Sequence, residues 1–347
     1  MKTAMLGVWF FFVVFFSASA ACANGADKRD TESPFGVLDF LNWNHDWNSY
    51  QYPEFKDIEK VVSLMKEAHV GMIRLDFSMM DLELGPDQYD FKKCDRIVEL
   101  LAKNDIRILG LIGYNAPWTG KEWNDAPDPD QFVSFVRTVV NRYKDRVKFW
   151  EIWNEPEARV YWKKQDGMKT YTELLKAVYP VIKKEDPSSV VLMGATSDTH
   201  SIALKQIYRN GGKGYFDIVN VHPFVDPVKP NVMARLKGIH NAILKVMETY
   251  GDGNKDIWWT ELGAPGVKHP DKTNGWWEGI SPTEEQQADW VKTIYGEPLK
   301  WKGVKKIFWA FFRETKHFNS GVDYFGIVAR DFSKKPAFYA YQDMAKK

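Results

Sequence analysis

Two glutamates, each closing a strand-like apolar run, are placed to do acid–base chemistry as a pair. One ends Phe149-Trp150-Glu151-Ile152-Trp153-Asn154-Glu155-Pro156, and the other lies in Ile257-Trp258-Trp259-Thr260-Glu261-Leu262-Gly263. Ionised carboxylates in apolar sequence are costly to bury without a purpose. Two of them on one face can flank a single bond: one acid protonates a departing oxygen while the other carboxylate attacks the carbon or activates water. Cleavage of a glycosidic bond needs this pair. Glu151 is a third carboxylate nearby. Strict alternation puts Glu151, Trp153 and Glu155 on one strand face, so Glu151 is expected deeper than the other two and structural.

The pair can meet only if the strands carrying it share a rim. From Phe35 onward, short runs rich in β-branched and aromatic residues alternate with segments of helical apolar spacing. Strands are expected near Phe35 to Leu41, Met72 to Phe77, Arg107 to Ile112, Lys148 to Trp153, Val190 to Gly194, Phe216 to Val221, Ile257 to Thr260 and Lys306 to Phe312. Ile58, Val61, Val62 and Met65 mark one helix, and Ile97, Leu100 and Leu101 mark another within Lys92 to Asn104. Ser281-Pro282-Thr283-Glu284 fits a helix start with Ser281 as N-cap, and Phe338 to Met344 a closing helix. This order predicts the α/β class and a single (β/α)8 TIM barrel, whose active sites lie at the C-terminal ends of the strands. An open doubly wound sheet is disfavoured, because no glycine-rich phosphate loop follows any strand.

The barrel is expected over residues 35–347, after a polar segment at 24–34 and a cleavable export signal at 1–23. Lys2, the apolar run Leu6 to Phe16 and the small residues Ser17 to Ala23 carry that signal. The run is too short to span a bilayer, and lipidation of Cys22 ranks below simple cleavage. With only Cys22 and Cys94 present, no disulfide framework is expected. A formal net charge of +1, with acids and bases interspersed, argues against nucleic acid or an anionic membrane as partner. The 15 tryptophans exceed ordinary usage, and their flat rings with one donor suit sugar faces as well as cores.

On these residues the sequence resembles the clan A glycoside hydrolases, barrels with Asn-Glu ending strand four and a nucleophilic Glu ending strand seven. Asn154-Glu155 and Glu261 occupy those places. The resemblance implies a retaining reaction with Glu155 as acid/base and Glu261 as nucleophile, and Asn154 binding the substrate's 2-hydroxyl. It also implies Arg74 orienting the nucleophile, His222 as the strand-six histidine, and Trp309 as an aromatic floor under the sugar. Where the clan often has a tyrosine two residues after that histidine, this chain has Phe224, so the nucleophile's second donor is expected from Tyr114 or is absent. The Glu-Ile-Trp-Asn-Glu-Pro run, Pro117-Trp118 and His222-Pro223 look most like family 39, with family 5 close behind.

Plainer roles stay open for several of these. Arg74 could pair with Asp76 or Glu151, His222 could be a core histidine, and Trp118 and Trp309 could be packing. Endo action on a β-linked polysaccharide is expected from Trp43, Trp47, Trp118, Trp123, Trp162, Trp276 and Trp277 near rim loops. An exo-acting β-glycosidase such as a β-xylosidase, or a non-catalytic sugar-binding barrel, is the alternative. A carbohydrate is the expected partner, no cofactor or metal is called for, and the chain is expected to act as a monomer.

Overall fold

A computed structural model describes residues 33–43, 51–163, 166–197, 199–270 and 279–346. The expected export signal, Cys22, Trp47, Trp276 and Trp277 lie outside the described residues. The barrel unit runs from Ser33 to Lys347.

Eight parallel strands form it: β1 (Phe35–Leu38), β2 (Met72–Ser78), β3 (Arg107–Gly113), β4 (Phe149–Asn154), β5 (Val190–Ala195), β6 (Val219–Val221), β7 (Ile257–Leu262) and β8 (Val304–Ala310). Their order is β5-β4-β3-β2-β1-β8-β7-β6. Bridges Leu192↔Ile218 and Thr196↔Val221 join the two ends and close the ring. The helices that follow the strands are α1 (Phe55–Glu67), α2 (Lys92–Lys103), α3 (Pro129–Tyr143), α4 (Gly167–Glu185), α5 (His200–Arg209), α6 (Val232–Thr249), α7 (Glu284–Gly296) and α8 (Pro336–Ala345). A small hairpin, Glu83–Gly85 with Gln88–Tyr89, interrupts the β2–α2 connection. Among the described residues, no helix is long and apolar enough to cross a membrane.

The helices form for the reasons the spacing suggests. Ile58, Val61, Val62 and Met65 bury one face of α1, and Cys94, Ile97, Val98 and Leu101 one face of α2. One cap differs from expectation. Helix α7 starts two residues later than expected, with Thr283 as N-cap in place of Ser281; its hydroxyl accepts from the Gln286 amide while the Gln286 side chain accepts from the Thr283 amide. The capping box therefore belongs to Thr283 and Gln286, because a residue three beyond the cap must reach back to it, and Glu284 is too near.

The barrel interior is layered. Its lower plug is Met72, Leu109, Phe149, Leu192, Ile218, Trp258 and Phe308, an apolar cluster separate from the main core. β1 contributes Gly36 instead of a side chain there; a Cβ on Gly36 would sit 2.5 Å from the Phe308 ring. Above the plug the inward residues turn polar: Arg74, Asp76, Glu151, Asn220 and Thr260 are all buried. Outward residues of the same strands, such as Ile73, Trp150, Ile152 and Trp259, belong to the main core between sheet and helices.

Candidate active site

Strict alternation would not deliver both glutamates to the rim beside their neighbours. On β4, Trp153 and Glu155 have left-handed backbones, with φ of 66° and 42°. Trp153 swings to the outer side, where it meets Trp162 at 4.9 Å and donates to the Tyr161 carbonyl at 2.8 Å. Asn154 and Glu155 both turn inward as a result. The expectation that Trp153 shares a face with Glu151 and Glu155 is thus corrected: left-handed residues break the two-residue period. On β7, the register against β8 slips between Ile307↔Trp259 and Trp309↔Leu262. This irregularity lets Thr260 and Glu261, adjacent in sequence, both contact interior groups, as bulges near active sites do.

The carboxylates meet. One donor atom each from Glu155, His222 and Glu261 lie within 4.8 Å of one another. Arg74, almost wholly buried, donates from Nη1 to Glu261 Oε1 at 2.6 Å, from Nε and Nη2 to the two Glu151 oxygens at 2.6 and 2.9 Å, and from Nη2 to Asn154 Oδ1 at 2.9 Å. The two readings of Arg74 therefore hold together: it pairs with Glu151 below and orients Glu261 above. Burial works against its charge, but Glu151 and then Glu261 outweigh that and hold it above its ordinary range.

His222 lies between the glutamates and is not a plain core residue. Nδ1 is 2.7 Å from Glu155 Oε1, and Nε2 is 2.9 Å from Thr260 Oγ1 and 3.8 Å from Glu261 Oε1. Burial pushes its pKa down to about 4, with Glu261 opposing, so the ring is neutral near neutral pH. The Thr260 hydroxyl donates to Asn220 Oδ1 at 2.8 Å. Its proton being spent there, Thr260 accepts from His222, which puts the ring proton on Nε2 and leaves Nδ1 as an acceptor. A neutral acceptor 2.7 Å from a carboxyl oxygen favours that carboxyl in its protonated form. The trio could grip a divalent cation only by giving up this hydrogen bond.

Other expected residues fare differently. Trp309 is 0% exposed, belongs to the main core, and donates to the Phe325 carbonyl at 2.9 Å. It cannot be a floor under a sugar; alternation on β8 points Phe308 and Ala310 inward and Trp309 out. Tyr114 lines the site near Asp76, Arg74 and Glu261, but makes no hydrogen bond to Glu261 among the described contacts. Its left-handed backbone and edge contacts with Trp123 and Trp153 hold the ring elsewhere. Trp118 is half-buried in a 3-10 turn against the core, with its indole nitrogen shut away. Trp162, at 2% exposure, is core. Trp43 stacks on Phe40 at 3.9 Å and donates to Asp76, whose pKa burial raises to about 7 against the pull of Arg74.

Sequence reasoning passed over Thr260, Asn220, Tyr161 and Glu157. Tyr161 lies close enough to Glu155 and Glu261 to feel both charges, although burial dominates its upward shift. Asn220 had a usable signal, two residues before His222 and hence on its face.

The chain matches known proteins as follows. A β-galactosidase family model matches residues 46–117. A curated endo-1,4-β-xylanase B of Thermotoga neapolitana is 34% identical over 74 residues, 20% of this chain and 21% of that protein. Among solved structures, a family 39 glycoside hydrolase from Bacteroides cellulosilyticus WH2 superposes with a TM-score of 0.68 at 20% identity, covering 92% of this chain and 64% of that one. This chain thus spans less than two thirds of that enzyme's length. A monomeric β-xylosidase from Caulobacter crescentus CB15 gives 0.66 at 17% identity over 90% of this chain and 68% of that one. A family 1 β-glucosidase from Thermotoga maritima gives 0.68 at 15% identity, covering 90% and 97%. At such identities the likeness is one of architecture: the chain has the (β/α)8 barrel fold of the clan A glycoside hydrolases, family 39 enzymes among them.

Proposed function

We propose that the chain is a retaining β-glycoside hydrolase with Glu155 as general acid/base and Glu261 as nucleophile. The observation that carries this is the closeness of the pair, whose oxygens and the His222 nitrogen lie within 4.8 Å. Retaining glycosidases hold their carboxyl groups about 5–5.5 Å apart, while inverting ones need about 6.5–9.5 Å to admit a water. Glu261, aimed by Arg74, forms a bond to the anomeric carbon as the bond to the leaving oxygen breaks, and the Glu155 proton goes to that oxygen. Water then attacks the same carbon, Glu155 takes its proton, and Glu261 departs. Arg74 occupies Asn154 Oδ1, which leaves the Asn154 amide N–H groups to donate to the sugar's 2-hydroxyl.

Two measurements test the proposal. Glu261→Ala is expected to lower kcat by about 10³-fold or more on aryl β-glycosides, and proton NMR of the first product is expected to show the β-anomer. Full activity in the variant, or an α-anomer as first product, would sink it.

The finer reading is internal cleavage of a β-linked polysaccharide. Trp43, partly exposed, and Trp123, 39% exposed, support it as rim aromatics; Trp118 and Trp162 do not, being turned into the core. Release of monosaccharide alone would shift the assignment to an exo-acting β-glycosidase. The same reading has the chain exported, and N-terminal sequencing of the exported form is expected to begin near Asn24.

A further inference from the structure

The mouth of the barrel has two unlike halves. From the end of β1, past β8 and round to the end of β6, runs an arc of aromatic rings that forms a cluster separate from the plug and from the main core. Trp43 stacks on Phe40 at 3.9 Å, Phe40 meets Phe311 at 4.7 Å, and Phe311 lies parallel to Phe318 at 5.6 Å. Phe325 continues the arc from Phe311 to Phe224, whose ring is 6.4 Å from that of His222. Trp43, Phe318 and Phe224 are only partly buried, so they are the rings a ligand meets. Arg313, the cation nearest in sequence to Phe311, is turned away: its guanidinium donates to the carbonyls of Gln51, at 2.9 Å, and Arg330. The half of the mouth formed by β2 and β4 is polar, with Arg74, Asp76, Asn154 and Glu155.

We propose that this aromatic arc sets specificity at C5 of the sugar being cleaved: it selects an apolar substituent there, a methyl group best, as in a 6-deoxyhexoside, and rejects a carboxylate. This rests on the glycosidase reading. C1 is held between Glu155 and Glu261, and the 2-hydroxyl is drawn to Asn154 on β4. The other neighbour of C1, the ring oxygen, leaves in the opposite direction, with C5 beyond it. The strand order puts β8 four places from β4 either way round the closed ring, so it lies straight across the mouth. C5 therefore comes to the side where β8 and β1 end.

A pyranose set in this way matches the two halves. Its edge at C2 and C3, rich in hydroxyls, lies along the polar side, and its edge at the ring oxygen and C5 lies against the rings. Aromatic faces receive C–H groups well. They give a carboxylate nothing for the water it loses, and the one donor on the exposed rings, the Trp43 indole, is spent on Asp76. A hydroxymethyl group falls between, because an apolar pocket rejects an added hydroxyl by no more than about 10²-fold.

The test is a matched series of aryl β-glycosides that differ only at C5: hydrogen in the xyloside, methyl in the 6-deoxyglucoside, hydroxymethyl in the glucoside and carboxylate in the glucuronide. The series with the 4-hydroxyl inverted is run beside it, and the one turned over faster is read. In wild type, kcat/KM is expected to fall in the order methyl, hydrogen, hydroxymethyl, carboxylate, with the uronide about 10³-fold or more below the methyl compound. A uronide cleaved as well as the compound with hydrogen at C5 overturns the proposal. Phe318→Lys, at a partly exposed ring, brings a cation to the arc and is expected to raise the ratio of uronide to 5-hydrogen compound about tenfold or more. An unchanged ratio in a variant that melts like wild type overturns the placement of C5. If no member of either series is cleaved, the hydrolase reading fails, and calorimetric binding of the same compounds to wild type decides the arc by the same order.

Discussion

Thr260 decides which nitrogen of His222 holds the ring proton. Because its hydroxyl donates to Asn220, it accepts from Nε2 and leaves Nδ1 facing Glu155. Thr260→Val keeps the shape but removes the acceptor, so the ring is free to carry its proton on Nδ1, where it opposes a protonated Glu155. The expected result is a fall in kcat of about 10–100-fold on substrates with poor leaving groups, and little change on a dinitrophenyl glycoside that departs without protonation. Equal losses on both substrates would refute the role given to the threonine. Arg74 is as heavily committed, with four hydrogen bonds to three side chains. A lysine offers a point charge in place of a fork. Arg74→Lys is expected to cost about 2–3 kcal/mol in denaturant unfolding, because it leaves the buried Glu151 incompletely paired; an unchanged midpoint would show that Glu151 has other support. Residue type and position singled out Glu155 and Glu261, since ionised groups closing apolar strands have few innocent explanations, whereas Arg74, Asn154 and His222 came from the resemblance to clan A. The same resemblance misplaced Trp309 and Tyr114, because an aromatic ring is at home both in a core and under a sugar, and only the facing of the strand decides.

At the scale of elements, the eight strands were legible because each is a short apolar run between helices of clear period. Their ends were not. Strand β1 stops at Leu38, short of the expected Leu41, and β6 begins at Val219 instead of Phe216. The features that matter most for the site, the left-handed Trp153 and Glu155 and the slip on β7, leave no mark on hydrophobic period because they depart from it locally. Helix α6 carries a comparable hidden feature. His240 is buried against Trp301, with no hydrogen-bond partner for either ring nitrogen among the described residues. Burial first, and Lys237 second, hold its pKa down at about 4, below its ordinary 6.5. The folded state therefore needs it neutral. Its contribution is intact above pH 6.5 and is lost as pH falls towards 4, because the unfolded chain then binds a proton that the folded chain does not. His240→Leu, similar in volume and without orphaned nitrogens, is expected to be neutral or stabilising at pH 7. At pH 5 it should melt higher than wild type by about 2 °C or more. A variant that melts lower at both values would mean that the imidazole has a partner the protein needs.

At the largest scale the barrel unit is a ring, and a ring is no stronger than its seam. Strands β2 and β3 pair in unbroken register over seven positions, from Met72↔Arg107 to Ser78↔Gly113. Strands β5 and β6 meet through isolated bridges: the Asp217 and His222 amides make short bonds to Val191 and Thr196 at 2.7 and 2.8 Å at the two ends, while between them the Met193 and Thr196 amides lie 3.4 Å from their acceptors. An interrupted ladder with long bonds in its middle opens at lower free energy than a continuous one. Hydrogen exchange is therefore expected to lose protection over residues 190–197 and 216–222 before residues 72–78 and 107–113. Equal protection in both pairs would refute the weak seam. The site bears directly on it, since Glu155 extends from β4 and His222 from the end of β6, and their 2.7 Å contact crosses over β5. A ligand that engages Glu155 and Glu261 together, such as a basic sugar mimic, fixes β4, β6 and β7 relative to one another and raises the cost of opening between β5 and β6. Protection at the seam should then increase on binding while the β2–β3 pair, already closed, stays as it was. Protection gained uniformly around the barrel would point instead to global stabilisation, with no special link between the seam and the two glutamates.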